Sequence, residues 1–292
     1  MSTAGARTWP TTEPCGSSNF ADQRLYRQVP GGEPEPVSRQ PAAPGEVRYA
    51  DACVTPDGAW LICVRERHDS DHSRNVVNDL IAIPASGDIP AAPRVLASGR
   101  DFYAAPRLSP DGRHLAWLEW DHPNMPWDGT DLWVADLSTS GKTAEAGLAL
   151  AAARLVAGGP GESVCQPAWD PSGSLHFISD RSGWWNLCRI PPGCSVGGQG
   201  EAEPLAPLAA EFTIPQWWLG LSSYAFLPDG RIACAYWKGA IGHTGLVVPG
   251  TGKVDPLVEK LFVQPLQQFA RVRRQGRLRG WRAGHATRGC FD

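Results

Sequence analysis

The 292-residue chain lacks the short motifs that mark nucleotide-binding proteins and zinc proteases. It contains no phosphate-binding P-loop, no G-x-G-x-x-G sequence and no HExxH sequence. No apolar run approaches the ~20 residues that a membrane helix needs, and residues 1–18 lack the apolar stretch of a secretory signal. The net charge of −3 gives no reason to expect nucleic acid as a partner. We therefore expect no cofactor, no metal ion, no nucleic-acid partner and no membrane partner.

Cysteine is present eight times, but never in a C-x-x-C pair or with the spacing of a zinc site. Cys53, Cys63 and Cys234 lie in apolar runs, where a free cysteine acts as a small buried hydrophobe. These features predict a chain without a disulfide framework, in a reducing compartment such as the cytoplasm. Because residues 1–18 are rich in Ser, Thr and Ala, an organellar location stays open.

Glycine (32), proline (27) and tryptophan (13) are abundant, which favours short strands joined by tight turns. One turn recurs four times, with prolines at positions 56, 110, 171 and 228, so the intervals are 54, 61 and 57 residues. Intervals of this size are typical of propeller blades, and four unrelated turns in a β-sandwich are the alternative. The copies are Thr55-Pro56-Asp57-Gly58, Ser109-Pro110-Asp111-Gly112, Asp170-Pro171-Ser172-Gly173 and Leu227-Pro228-Asp229-Gly230.

The chain is predicted to be all-β, a partial β-propeller of about four complete four-stranded blades plus a partial first blade. Residues 1–18 are expected to be irregular and residues 19–259 to form the propeller. The predicted limits are 19–45 for the partial blade and 46–98, 99–156, 157–208 and 209–259 for the complete blades. Three local predictions are a strand at Phe20–Arg27, an Ala-rich insertion with one helical turn at Ala144–Ala153, and a strand at Trp217–Leu219.

Residues 260–292 form a basic segment in which the turn signals and the alternating strands disappear. It carries Lys260 and seven arginines, and we expect it to be disordered. Binding of RNA or of an anionic membrane is one alternative, and translation in a wrong reading frame is another. The arginines lie at positions 271, 273, 274, 277, 279, 282 and 288.

Two segments resemble the prolyl oligopeptidase family of serine peptidases. Asp121–Ala135 reads DHPNMPWDGTDLWVA and resembles the branch that contains acylaminoacyl-peptidases and dipeptidyl-aminopeptidase-like proteins. Ser179–Leu187 reads SDRSGWWNL and resembles a later blade of the same family, but also the TolB-type propeller. The first segment is specific, the second is shared among several propellers, and the resemblance covers about residues 19–259.

The resemblance implies an N-terminal propeller that works with a C-terminal α/β-hydrolase domain carrying Ser, Asp and His in that order. The nucleophile of such a domain appears as G-x-S-x-G. In this chain, Gly161–Cys165 and Gly220–Tyr224 both lack the closing glycine, and no strand–helix alternation follows. The resemblance therefore assigns no catalytic residue to any position, and this chain alone is expected to be inactive.

The candidate site for substrate binding or for contact with the hydrolase domain is one loop between two strands. Asp121, His122, Asn124, Trp127 and Asp128 concentrate polar and aromatic groups there, and loops on a rigid scaffold often carry function. The structural alternative is that the two prolines and the glycine of this loop shape a long turn with Trp127 packed beneath it.

Three further groups of residues favour structural interpretations. His68, Asp69, Asp71 and His72 could ligate a metal, but they lie close together in sequence and are better explained as a solvated loop. Asp180 and Arg181 are expected to bond each other or nearby backbone. Four tryptophans are predicted to pack between blades rather than to form a ligand cage: Trp184, Trp185, Trp217 and Trp218.

Two functional hypotheses follow. The first is the non-catalytic propeller module of a prolyl-oligopeptidase-type serine peptidase, truncated and inactive alone, which gates the access of peptide substrates in the full-length family. The second is a free-standing propeller scaffold that binds proteins or peptides. Because four blades and a partial one leave open strand edges, self-association is also expected.

Overall fold

The computed structural model describes residues 15–68, 76–86, 92–139, 148–192 and 202–263. Within these ranges the chain forms strands and turns without helices, in four four-stranded antiparallel sheets and one three-stranded sheet. This confirms the predicted all-β, multi-bladed propeller.

Each sheet is a meander of consecutive strands. Blade 1 has three strands and blades 2 to 5 have four each. The strands are β1 (Cys15–Ser18), β2 (Leu25–Gln28) and β3 (Glu35–Pro36); β4 (Val47–Val54), β5 (Trp60–His68), β6 (Val76–Pro84) and β7 (Arg94–Ser98); β8 (Phe102–Leu108), β9 (His114–Trp120), β10 (Thr130–Thr139) and β11 (Leu148–Gly159); β12 (Val164–Trp169), β13 (Leu175–Ser179), β14 (Asn186–Ile190) and β15 (Glu203–Pro204); β16 (Tyr224–Phe226), β17 (Ile232–Lys238), β18 (Ile241–Val248) and β19 (Lys253–Val263).

Several local predictions differ from the structure. The single strand predicted at Phe20–Arg27 is wrong, because a turn in which Gln23 has a φ of 58° precedes β2. The first strand, β1, begins at Cys15, inside the segment expected to be irregular. Residues 148–153 of the predicted Ala-rich insertion belong to β11, which pairs with β10 along its length, and residues 144–147 lie outside the described ranges.

Two differences concern blade 5. Residues 217–219 form a turn and loop rather than a strand, so this blade has four strands and begins at Tyr224. Its last strand, β19, continues to Val263 and so enters the segment expected to be disordered. Residues 264–292 of that segment lie outside the described ranges.

The four repeated turns form as predicted, each closing a hairpin between the first two strands of a blade. In blade 3 the Gly112 amide donates to the Ser109 carbonyl at 2.9 Å, and Asp111 Oδ1 accepts from the amide of Arg113 at 3.0 Å. Gly112 has a φ of 69°, which a residue with a Cβ adopts only under strain. A Cβ there would also lie 2.9 Å from the ring of Pro56, so neighbouring turns touch each other.

The meander topology separates two ends of the propeller. The repeated turns lie at one end, called here the turn end. The opposite end is called here the loop end. It carries the loops that join the second strand of each blade to its third strand, and also the connections between blades. Strand β4 contacts β8, and β8 contacts β12, so the first strands of successive blades lie side by side.

A bulge recurs in the first strands of blades 2, 3 and 4. At each bulge a non-glycine residue has a positive φ: Asp51 (50°), Ala105 (52°) and Gln166 (52°). Each lies five residues before the proline of its own repeated turn. The pairing register with the second strand shifts at the same place in all three blades.

The bulge residues connect each blade to the next one. Asp51 accepts from the Ala105 amide at 2.7 Å and from Arg107 Nη1 at 2.9 Å. Gln166 Oε1 accepts from the amide of Ser223 at 2.8 Å, and Ser223 is the equivalent position of blade 5. Alanine offers no such acceptor in blade 3. There the Trp169 indole of blade 4 donates to the Arg107 carbonyl at 3.0 Å.

Apolar cores fill the spaces between the blades. One core packs blade 4 against blade 5, with Phe212, Trp185 and Ile232 almost fully buried. The polar His176 of β13 is also buried, at 1% exposure. Its Nε2 lies 3.1 Å from Asp170 Oδ2, its ring meets Phe226 of blade 5 edge-on at 4.8 Å, and its Nδ1 has no hydrogen-bond partner.

Replacing Asp51 with Ala should destabilise the propeller by about 3 kcal/mol, because a buried ion pair loses one partner and the Ala105 amide loses its acceptor. The Asp51 side chain is 6% exposed and that of Arg107 is 18% exposed. Chemical denaturation would measure the change. The matched control is Asp229→Ala, which breaks the exposed pair of Asp229 with Arg231 and should change stability far less, because solvent screens an exposed ion pair. Equal losses in the two variants would contradict the role assigned to the bulge.

Stability should fall as the pH drops below about 6.5, the ordinary pKa of histidine. Burial lowers the pKa of His176, although Asp170 opposes this effect. The unfolded chain therefore takes up a proton at a pH where the folded chain does not. Burial alone would raise the pKa of Asp170, but hydrogen bonds from Ser172, Ser174 and His176 lower it, so the contribution of this carboxyl is lost only at more acidic pH.

Unfolding curves of the native chain and of His176→Gln, measured between about pH 7 and about pH 5, test this expectation. The free energy of unfolding should decrease with falling pH in the native chain and should change less in the variant. The same slope in both proteins would show that another group carries the dependence.

Candidate functional site

The candidate loop, residues 121–129, joins β9 to β10 at the loop end of blade 3 and is built on one carboxylate. Asp121 Oδ1 accepts from the Asp101 amide at 2.9 Å, and its Oδ2 accepts from Arg100 Nη1. The Asp121 carbonyl accepts from the Asn124 amide at 3.0 Å. The His122 amide donates to Asp101 Oδ2 at 2.9 Å. The start of the loop is thereby joined to the connection between blades 2 and 3.

Arg100 brings together three carboxylates from two strands and the loop. Its Nε donates to Glu119 at 3.1 Å, and its Nη2 donates to Asp131 at 2.9 Å. Its Nη1 donates to Asp121. Glu119 and Asp131 are direct partners across β9 and β10. Burial raises the pKa of Asp131, and Arg100 opposes this effect while Asp121 adds to it. The arrangement leaves a local excess of negative charge at the loop end.

The second half of the loop forms its own turn. Asp128 Oδ2 accepts from the Met125 amide at 3.0 Å, and the Asp128 amide donates to the Met125 carbonyl at 2.8 Å. The Pro126 carbonyl accepts from the hydroxyls of Thr130 at 2.6 Å and Ser163 at 2.9 Å. Gly129 is required here, since a Cβ would lie 2.8 Å from the Gly159 carbonyl oxygen. The turn is therefore held against the connection between blades 3 and 4.

Trp127 extends from this turn towards blade 5. Its ring packs against Trp217 with centroids 4.4 Å apart and planes inclined at 49°, and it borders the core between blades 4 and 5. Trp217 and Trp218 each remain 56% exposed. Met125 and Leu219 are exposed as well. We call these five side chains, Met125, Trp127, Trp217, Trp218 and Leu219, the tryptophan surface.

The five predicted site residues lie in one loop but play different roles. Asp121 and Asp128 accept hydrogen bonds that shape the loop, and Trp127 belongs to the tryptophan surface. The His122 side chain is exposed and Asn124 is half-buried. The loop is therefore an ordered turn held by hydrogen bonds, as the structural alternative required. It also presents side chains at the loop end.

The packing predicted for the four tryptophans holds for part of the set. Trp185 is 6% exposed and packs in the core between blades 4 and 5, and Trp184 is half-buried. For Trp217 the prediction holds in part, because its ring packs against Trp127 of the blade 3 loop although it stays 56% exposed. Trp218 is equally exposed, because the chain forms an open turn there instead of a strand.

The neighbouring polar predictions have mixed outcomes. Asp180 Oδ1 accepts from the Ser163 backbone amide at 2.7 Å, as expected. The Arg181 side chain instead pairs with the Glu162 carboxylate at 2.9 Å, a partner that was not predicted. Of the histidine-rich segment, only His68 is described, with its Nε2 2.6 Å from Glu66; residues 69–72 lie outside the described ranges. Among the residues that the structure describes, no group of three or more His, Cys, Asp or Glu could hold a metal ion.

Sequence reasoning missed Arg100, Glu119 and Asp131. Glu119 and Asp131 are partners because of the pairing register of the β9–β10 hairpin. The alternation of apolar and polar residues on either side of the loop could have indicated this register. Arg100 lies in a short connection before β8 and carries no local pattern that points to its partners.

Two solved structures are similar to this chain over most of its length. One is a puromycin-hydrolysing peptidase of Mycobacterium tuberculosis, with 35% identity, a TM-score of 0.74, and coverage of 89% of this chain and 39% of that chain. The other is a puromycin hydrolase with 34% identity, a TM-score of 0.73, and coverage of 86% and 38%. A dipeptidyl peptidase 4 of Porphyromonas gingivalis shares the fold at 9% identity, with a TM-score of 0.57 and coverage of 86% and 38%.

No family model matches the chain, and no curated protein matches it either. The chain spans about two fifths of the length of the two puromycin-hydrolysing structures. It is a β-propeller of the type found in prolyl-oligopeptidase-family peptidases, as the sequence resemblance indicated. Its likeness in sequence as well as in fold is to the propeller portion of the puromycin-hydrolysing peptidases. Within the described ranges, no helix has the length and apolar character needed to cross a bilayer.

Replacing Asp121 with Ala should loosen the loop at 121–129 and cost about 2 kcal/mol, because a carboxylate that accepts two hydrogen bonds is lost. Limited proteolysis of the folded protein, with mass analysis of the cleavage sites, would detect faster cutting within the loop. His122→Ala is the matched control, because the structure bonds only the backbone amide of His122. Faster cutting in the control, or unchanged cutting in Asp121→Ala, would contradict the role given to Asp121.

Proposed function

We propose that the chain is the non-catalytic propeller module of a prolyl-oligopeptidase-type serine peptidase. The observation that carries the proposal is its 34–35% identity to two puromycin-hydrolysing structures, of which it matches less than two fifths. In this role the module works beside an α/β-hydrolase domain and restricts the peptide substrates that reach the catalytic serine. It is inactive alone, since the 292-residue sequence contains no G-x-S-x-G motif.

The tryptophan surface at the loop end is the proposed contact with the hydrolase domain or with the substrate. Two neighbouring tryptophans, each 56% exposed, form an aromatic patch of the kind that marks an interaction site. Hydrogen bonds hold the 121–129 loop in place behind Trp127, so this part of the patch is already ordered before a partner binds. The carboxylates around Arg100 add a negative rim on the blade 3 side.

We further propose a cytoplasmic location. All five cysteines that the structure describes are free, and four of them are buried. Burial raises the pKa of Cys53 to about 12 and that of Cys234 to about 11, so these thiols are unreactive at neutral pH. Buried reduced thiols of this kind support a reducing compartment.

The second candidate is a free-standing scaffold that binds proteins or peptides. The tryptophan surface favours it as well, because an exposed aromatic patch serves either function. The two candidates differ in whether the module can support catalysis when it is joined to a hydrolase.

The purified chain should not hydrolyse puromycin or an aminoacyl anilide under conditions in which the M. tuberculosis peptidase hydrolyses puromycin. A chimera in which this chain replaces the matching 39% of that peptidase should recover puromycin hydrolysis. In the chimera, Trp217→Ala with Trp218→Ala should raise KM several-fold, whereas Phe20→Ala, an 82% exposed residue of blade 1, should leave kcat and KM unchanged.

Turnover by the chain alone would overturn the assignment as a non-catalytic module. A folded chimera without activity would favour the free-standing scaffold.

A further inference from the structure

Blade 4 carries a histidine at a position where the other complete blades carry an apolar side chain. The repeated turns place the second strands in a common register, because each turn is closed by a hydrogen bond from its first residue. In blade 4 the Asp170 amide donates to the Ser174 carbonyl at 2.9 Å, and His176 follows two residues later in β13. In blades 2 and 3 the equivalent side chain packs in the core shared with the next blade. The residues equivalent to His176 in blades 2, 3 and 5 are Ile62, Ala116 and Ala233.

The His176 ring is enclosed in the seam between blades 4 and 5, where a seam is the interface between two consecutive blades. The side chain is 1% exposed, and its ring meets Phe226 of blade 5 edge-on with centroids 4.8 Å apart. Nε2 lies 3.1 Å from Asp170 Oδ2, and Nδ1 is buried without a hydrogen-bond partner. Because Asp170 accepts at Nε2, the neutral ring has its proton there and only a lone pair at Nδ1. A second proton would add a charged N–H group without an acceptor, which is costly in a buried position.

The Asp170 carboxylate is fixed by its own turn. Its Oδ1 accepts from the Ser172 amide at 2.8 Å, from the Ser172 hydroxyl at 2.6 Å and from the Ser174 amide at 2.9 Å. Moving this carboxylate towards Nδ1 would break these hydrogen bonds together with the one to Nε2. The partner of His176 therefore does not satisfy a second proton on the ring.

The other charged groups around the ring lie in the sheet of blade 4. His176 pairs with Arg189 of β14, and Arg189 pairs with Glu203 of β15. Arg189 Nε donates to Glu203 at 2.7 Å, so the two charges largely offset each other. The neighbouring residue of β12 is Ala168, and blade 5 contributes the uncharged Phe226. Burial lowers the pKa of His176 and Arg189 adds to this effect, while the nearby carboxylates oppose it.

Hydrogen bonds join blades 4 and 5 around Gln166, nearer the loop end than His176. The groups that bond Gln166 are the Ser223 amide, which donates to Oε1 at 2.8 Å, the Thr213 hydroxyl, which accepts from Nε2 at 2.6 Å, and the Tyr224 hydroxyl, which donates to the carbonyl at 2.6 Å. Nearer the turn end, where His176 pairs with Ala168 of β12, the imidazole ring meets Phe226. The seam can therefore open at the turn end while the bonds of Gln166 keep the two blades joined.

We propose that His176 is a pH-sensitive switch in the seam between blades 4 and 5. In its neutral form the ring closes the turn-end half of the seam against Phe226. When the ring is protonated, that half opens and admits water to Nδ1, and the bonds of Gln166 act as the hinge. The opening is local, which distinguishes it from the unfolding of the whole propeller. It does not depend on the proposed peptidase role, because it uses only the contacts of this seam.

Three buried cysteines provide a test in the full chain, since each lies in a different seam. Cys234 belongs to the core between blades 4 and 5, Cys188 to that between blades 3 and 4, and Cys63 to that between blades 1 and 2. The measurement is the rate at which each thiol reacts with an aromatic disulfide reagent, followed by mass analysis. Dividing this rate by the rate in concentrated denaturant at the same pH gives the exposed fraction of each cysteine.

The exposed fraction of Cys234 should rise on the order of tenfold between about pH 7 and about pH 5, because the open seam binds a proton that the closed seam resists. It should exceed the exposed fractions of Cys63 and Cys188 at each pH. It should also change little in dilute urea, since opening one seam exposes much less surface than global unfolding does.

Substitution of His176 identifies the group that titrates. His176→Leu should remove the pH dependence at Cys234, because leucine takes up no proton. His176→Gln, which keeps a side-chain donor, should do the same. The matched control is His114→Leu, which should leave the rise at Cys234 unchanged. His114 also lies beside a carboxylate, that of Asp136 at 3.1 Å, and stacks on Trp169 in the seam between blades 3 and 4, but its side chain is 34% exposed.

An exposed fraction of Cys234 that does not rise at acidic pH would overturn the proposal, and so would a rise that persists in both His176 variants. Equal exposed fractions for Cys63, Cys188 and Cys234 would overturn it as well, because the three seams would then open together in global unfolding.

Discussion

The propeller depends on the bulge in the first strands of blades 2, 3 and 4. At this point the chain accepts a positive φ at residues that are not glycine, which costs of order 1 kcal/mol or more at each site. In this conformation a side chain or a backbone amide at the bulge points towards the neighbouring blade and forms a hydrogen bond with it. Asp51 and Gln166 supply the acceptors, and the amides of Ala105 and Ser223 supply the donors. The sheets pack through non-directional apolar contacts, so these polar links are what fix the position of one blade relative to its neighbour.

The sequence alone predicted the parts of the fold that depend on local chemistry. The four turns are set by proline, aspartate and glycine at fixed positions, and their spacing indicated the blades and the all-β class. The bulges were not predicted, because Asp51, Ala105 and Gln166 share no residue type and the cause of their conformation lies in the neighbouring blade. The exposure of Trp217 and Trp218 was missed for a similar reason. An aromatic run looks like a buried strand, and only the path of the chain after β15 places it in solvent.

For the candidate loop, too, the sequence predicted what depends on local composition but not the contacts made with residues outside the loop. Its composition identified a place where polar and aromatic groups concentrate, and the structure shows them in one built turn at the loop end. Its electrostatic centre is Arg100, which is outside the loop and binds carboxylates from positions 119, 121 and 131. These contacts form when the connection before β8 folds back onto the β9–β10 hairpin of the same blade, and no periodicity in the sequence encodes them.

The bulge side chains of Asp51 and Gln166 both bind partners that come later in the chain, and this has a consequence for synthesis. Every blade is a local meander whose hairpins can form soon after the chain leaves the ribosome. The carboxylate of Asp51, however, finds its amide partner 54 residues later, and Gln166 finds its partner 57 residues later. At ordinary rates of translation, each delay lasts on the order of several seconds. During that interval a nascent blade exposes the apolar face that the next blade later covers, and exposed apolar surface of this kind makes folding intermediates prone to aggregation.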